Sequence, residues 1–198
     1  NGAIATYIDA SKMSGNGTLA FAAGSGTAKL TNLDATTKIG LGIGTDDFAG
    51  TLNVALADET GTDDSISLVE SSTLAAASAI TFKSTGIETL NIETPTASKG
   101  GVSTTFTFGD NAPSKIVATK GNVADTLALG TLNKTTTEVD AGSAKNIVSL
   151  TAATDVAMTV SVPGEVANNI VLSGGADTLT MGKAGIAVPT LTAGSGTD

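Results

Sequence analysis

The sequence predicts an all-β fold, a parallel β-solenoid-like stack of short strands, with an antiparallel β-sandwich as the alternative. Three observations predict it. Short aliphatic and threonine-rich runs recur along all 198 residues, bounded by Gly, Asn, Asp or Ser. The runs lie about ten to fifteen residues apart, with no long helical pattern between them. The chain also repeats itself loosely, as stacked coils do.

In chain order, the runs read as strands at Thr18 to Ala22, Lys38 to Ile43, Thr51 to Leu56, Ser65 to Val69, Ala79 to Phe82 and Thr89 to Ile92. They continue at Ser103 to Phe108, Lys115 to Ala118, Thr126 to Leu129, Asn146 to Leu150, Val156 to Val162, Asn169 to Leu172 and Thr178 to Met181. Alternation with a period of two is strongest in Thr104-Thr105-Phe106-Thr107-Phe108 and Met158-Thr159-Val160-Ser161-Val162, so one face of each is buried. The Ala-rich stretch Val69 to Ala79, which contains no Gly or Pro, reads either as a helix or as a turn feeding the strand at Ile80 to Phe82. The whole chain reads as one elongated segment over 1–198, with a weak division near 95–101.

Three elements repeat. An apolar residue followed by Asp-Ala occurs at Ile8-Asp9-Ala10, Leu33-Asp34-Ala35 and Val139-Asp140-Ala141. Gly-Thr-Leu occurs at Gly17, Gly50 and Gly130. Asp two residues before an apolar residue occurs at Asp46, Asp64, Asp125 and Asp177. In a coil stack, apolar positions point inward, and Asp or Gly turns each corner by bonding its own backbone or adopting positive φ.

Composition narrows both core and function. Aromatics are 3% of the chain, five Phe and the single Tyr7, with no Trp. Small aliphatic side chains must therefore fill the core, which suits a narrow stack better than a wide globule. A positive mean hydropathy of +0.23 argues against a disordered tail. Net charge is −9, and the ten basic residues are all lysines. An acidic surface without Arg suits divalent cations better than phosphates, so no nucleic-acid partner is expected. Without Cys or His, structural zinc and Cys or His nucleophilic chemistry are excluded. No apolar run is long enough to span a membrane as a helix, so no membrane insertion is expected. The opening at Asn1 without Met reads as a piece cut from a longer chain.

Two kinds of motif are candidates for chemistry. Leu41-Gly42-Ile43-Gly44-Thr45-Asp46-Asp47-Phe48 and Gly194-Ser195-Gly196-Thr197-Asp198 approach a calcium-binding nonapeptide, and Gly174-Gly175-Ala176-Asp177-Thr178-Leu179 does so less fully. Glycine lets backbone carbonyls approach an ion and Asp supplies anionic oxygen. The candidate Ca²⁺ ligands are thus Asp46, Asp47, Asp177 and Asp198, with Gly44, Gly175 and Gly196 beside them. None has a tandem partner nine residues away, so the same Gly-x-Asp pattern also reads as ordinary turn punctuation. The paired carboxylates Asp46-Asp47 and Asp63-Asp64 could be read as an acid/base pair. Adjacent strand residues point to opposite faces, however, and the chain lacks the aromatic and cationic groups of a glycan-cleaving cleft. It is expected not to be an enzyme.

The segment Gly86-Ile87-Glu88-Thr89-Leu90-Asn91-Ile92 resembles a signature that recurs in bacterial surface-layer proteins and related RTX-type surface proteins. Asp9-Ala10-Ser11-Lys12-Met13-Ser14-Gly15, Gly42-Ile43-Gly44-Thr45-Asp46 and the Gly-Ser-Gly-Thr-Asp198 ending add to the resemblance. It implies an extracellular protein of the bacterial cell surface, exported by type I secretion and self-associating in a calcium-dependent lattice. It also implies contact with cell-surface polysaccharide through regions outside this segment. A module of a large secreted RTX-type adhesin is the alternative. From the residues alone, Glu88 is a corner carboxylate, with the chain turning before the strand around Leu90 to Ile92.

Overall fold

The computed structural model describes residues 4–12, 18–21, 24–35, 37–42, 48–70, 77–96, 101–153, 155–182 and 190–195. The chain is a parallel β-solenoid of two sheets, and successive strands alternate between them. The nine-stranded sheet holds β1 (Ile4–Asp9), β3 (Gly24–Leu33), β5 (Phe48–Leu56), β7 (Ser78–Thr85), β9 (Ser103–Phe108), β11 (Thr126–Thr131), β13 (Ile147–Thr151), β15 (Asn169–Val171) and β17 (Thr190–Thr192). The eight-stranded sheet holds β2 (Thr18–Phe21), β4 (Lys38–Leu41), β6 (Ser65–Glu70), β8 (Thr89–Thr94), β10 (Lys115–Lys120), β12 (Glu138–Ala144), β14 (Thr159–Val162) and β16 (Thr178–Met181). Every pairing is parallel, so the sandwich alternative does not hold.

Alternation along each strand builds the core. β6, β8 and β13 carry every second side chain inward. Parallel pairing then stacks like on like. In one sheet Ile66, Leu90, Ile116, Val139, Val160 and Leu179 form a continuous column. Facing it, Ile80 pairs with Phe106, and Leu150 with Ile170, which pairs in turn with the exposed Leu191 at the end of the stack. Three of the six aromatics cluster mid-stack, where Phe108 lies 6.0 Å from Phe106 and 6.4 Å edge-on from Phe82.

The irregular repeat length has a structural origin. Paired residues lie between 19 apart, as in Thr159 and Thr178, and 30 apart, as in Gly50 and Ile80. The corners absorb much of the variation, and strand length, from three residues in β15 to ten in β3, and register shifts in three ladders absorb the rest. No helix occurs among the described residues. Of the two readings of Val69 to Ala79, helix or turn, the helix is corrected at its ends: Val69 and Glu70 finish β6, and Ser78 and Ala79 open β7, while 71–76 lie outside the described residues. Across the expected division near 95–101, β7 pairs with β9 and β8 with β10, so both ladders continue.

Two repeated elements prove not to be equivalent positions. Asp9 ends β1 and Asp34 lies beyond β3, yet Val139-Asp140-Ala141 sits inside β12. There Ala141 and Gly142 together oppose one residue of β10, a β-bulge and not a corner. Gly50 is inside β5, whereas Gly130, at φ 61, sits where a bulge shifts the β11–β13 register. The Asp-x-apolar element is different: Asp64, Asp125 and Asp177 each stand immediately before a strand.

Candidate functional site

Chemistry-bearing side chains collect at the corners, where the chain leaves one sheet to enter the other. Aspartate and asparagine make the turns themselves. Side-chain oxygens of Asp9, Asp58, Asn122 and Asn133 accept the backbone N–H two residues on, at 2.9 to 3.0 Å. Two of these carboxylates are pulled below the usual aspartate range by such bonds. For Asp9 the Asn32 side-chain amide is the largest cause, followed by the Ser11 N–H. For Asp58 it is the Thr60 hydroxyl, then the Thr60 N–H.

The residue just before four of the strands reaches back to the preceding coil. Asp125 Oδ1 accepts the N–H of Val102 at 3.1 Å, and Asn168 Oδ1 accepts that of Val148 at 2.9 Å. Asp177 Oδ1 accepts the N–H of Met158 at 2.9 Å, and Glu88 Oε2 that of Asp64 at 3.0 Å. In all four cases the register puts donor and acceptor directly opposite each other on successive coils. A buried N–H at a strand entrance has no strand-to-strand acceptor, and an unmade bond there costs about 1–3 kcal/mol. The side chain of the next coil supplies the acceptor.

Gly175 and Asp177 are the expected calcium-site residues within the described part, and both have structural work. Asp177 is buried and holds Met158. A Cβ on Gly175 would meet the Val156 carbonyl oxygen at 2.3 Å, so glycine is required for two coils to lie this close. Gly44, Asp46 and Asp47, in 43–47, and Gly196 and Asp198, in 196–198, lie outside the described residues. Gly194, beside them, presses on the Ser173 carbonyl as Gly175 does on that of Val156. Of the paired carboxylates, Asp63 is exposed and Asp64 half-buried.

One oxygen of Asp64, Asp125 and Asp177 is left over. Each Oδ2 is buried and has no hydrogen-bond partner among the described residues. No three Asp, Glu, His or Cys side chains converge as a metal site among the described residues. The Gly86–Ile92 signature is explained as a corner unit. Gly86 turns at φ 69 with Glu59 packed against its α-carbon, Ile87 is buried, Glu88 reaches the coil before it, and β8 follows.

Sequence reasoning missed Asn168, whose amide also donates to Pro163 and Val166 carbonyls; the signal was its place just before an apolar strand. It missed as well a polar column on the outward face of the nine-stranded sheet: Tyr7, Lys29, Asn53 and Lys83. No protein-family model, curated protein or solved structure matches the chain.

Proposed function

We propose that this chain is a structural segment of a secreted bacterial surface-layer protein, a rod that self-associates into a calcium-dependent lattice. The observation that carries the reading is the pair of parallel ladders running through the described chain, β1 to β17 and β2 to β16. Such a stack transmits load from coil to coil through backbone hydrogen bonds, and each coil contacts only its neighbours. The surface-layer resemblance of Gly86–Ile92 supports the assignment, because that unit serves here to build and lock a corner.

Calcium acts in this proposal at the acidic corners, with Asp46, Asp47, Asp177 and Asp198 as donors. The unpartnered Oδ2 of Asp177 supports that role. Each molecule offers an incomplete set, so affinity is weak, about 10⁻⁴–10⁻³ M as in other extracellular modules. Carbonyls or carboxylates of a neighbouring molecule complete it, and binding then draws assembly forward by mass action. Neutralising a −9 surface works in the same direction.

The test is electron microscopy and light scattering of the chain with millimolar calcium and with a chelator. Ordered arrays that dissolve on chelation are expected, with Asp177→Asn folding normally but assembling at higher calcium. A monomer indifferent to calcium at every concentration would overturn the proposal.

A further inference from the structure

We infer that the outward face of the nine-stranded sheet binds an acidic polysaccharide, along the column formed by Tyr7, Lys29, Asn53 and Lys83. These four residues are register partners on β1, β3, β5 and β7. The column runs along the stack axis with one side chain per strand, about 4.8 Å apart, so the α-carbons of Lys29 and Lys83 stand roughly 10 Å apart. That is the length of a disaccharide. A chain with one carboxylate per disaccharide sets its charges at the same spacing and presents hydroxyls to Asn53 between them.

Three further observations make the column a site. It borders a hollow of ≈ 410 Å³, whose lining includes Lys29, Asn53, Lys83, Thr31 and Asn111 as donors. One acid, Asp110, stands at its edge, leaving the lining with a net positive charge on a molecule of net charge −9. Gly109 keeps the hollow open beside Lys83: a Cβ there would lie 3.0 Å from the lysine stem.

Lys115 and Lys120 are held by Glu138 and Glu93, whereas Lys29 and Lys83 make no ion pair among the described residues. Tyr7 completes the line. The only tyrosine of an aromatic-poor chain, it is 63% exposed. Its hydroxyl bonds Thr31 Oγ1 at 3.2 Å, and Lys29 Nζ lies 5.8 Å from its ring centroid. An exposed, oriented ring with a polar tip is a platform for the apolar face of a sugar. Two separated point charges without Arg suit a string of carboxylates better than one phosphate, which a bidentate guanidinium grips. The inference does not depend on lattice assembly.

The experiment titrates the chain with hyaluronan oligosaccharides, which carry one carboxylate per disaccharide, and with neutral dextran oligosaccharides and a single-stranded oligonucleotide. Salt-sensitive binding of hyaluronan alone is expected, with amide shifts confined to β1, β3, β5, β7 and the corner at Gly109, Asp110 and Asn111 in the nuclear magnetic resonance spectrum. Lys29→Gln with Lys83→Gln should weaken it about tenfold or more, since two charge-assisted bonds are removed. Tyr7→Ala should weaken it less, and Lys38→Gln, on the other sheet, not at all. Shifts elsewhere, equal binding of dextran, tighter binding of the oligonucleotide, or no binding of hyaluronan would each overturn the site. The shift map is read on the unaltered chain, so misfolding of a variant cannot obscure the result.

Discussion

Glu88, Asp125, Asn168 and Asp177 perform one task at four corners: each offers an oxygen to an N–H of the coil before it. A residue read as a ligand from its spacing is thereby also a strut. The two roles separate by substitution. Asp125→Ala removes the acceptor of a buried N–H and should cost about 1–3 kcal/mol in urea denaturation. Asp125→Asn keeps an acceptor and should cost less; equal loss in both would mean that charge, not the hydrogen bond, holds the corner. Acid dependence follows from Asp9 and Asp58, both held below about 3.8 in the folded chain. A carboxylate lowered on folding adds stability that is fully present above its unfolded value and is lost as pH falls through the folded one. Carboxyl titration by nuclear magnetic resonance should place both midpoints below 3.8, and Thr60→Val should return Asp58 toward it. The sign reverses for Lys115, raised above 10.5 by its bond to Glu138, 2.6 Å away. Its contribution is present below that value and fades as pH rises through the raised one.

At the level of the strand, periodicity carried most of the information. Alternating runs such as Thr104 to Phe108 are strands because one face is buried, and a period of two is visible without coordinates. What alternation hid were strands broken by turn residues. β3 carries Gly24, Gly26 and Asn32, and β12 carries Asp140 and Gly142, which locally favour turns. Stacking overrides that preference. A Cβ on Gly50 would meet the Gly26 carbonyl oxygen at 2.3 Å, and β12 absorbs its extra residue as a bulge. Asn32, at φ 56, lies at a similar register shift in β3 and donates to Asp9. The corner role of Glu88 was legible, since a turn before an apolar strand leaves a carboxylate no inward path. The lysine column was not, because register partners over 20 residues apart have no mark in a single sequence. Core columns make a prediction of their own. Leu90 is fully buried between Ile66 and Ile116, so Leu90→Ala should cost about 2–5 kcal/mol in urea denaturation. A loss well under 1 kcal/mol would mean that the column is not packed.

Over the whole molecule, nine strands at about 4.8 Å spacing make a rod roughly 40 Å long. Its two faces differ: one carries the Tyr7–Lys83 column, the other the Lys115–Glu138 pair. A rod whose ladder hydrogen bonds run along its axis is suited to bear tension and to present ligands at strand spacing. Both functional readings therefore need the same thing, a continuous parallel stack in the register described. The chain has no cysteine, so introduced pairs report on that register without background. Cross-strand partners in a parallel pair have α-carbons about 4.8 Å apart, within the span of a disulfide, whereas diagonal neighbours are roughly 8 Å apart and outside it. Cysteines at Thr51 and Thr81 in one sheet, and at Ser67 and Asn91 in the other, are expected to cross-link on mild oxidation. Thr51 with Lys83 is expected to stay reduced. Cross-linking of the diagonal pair, or failure of both register pairs in a folded chain, would contradict the parallel solenoid on which everything else rests.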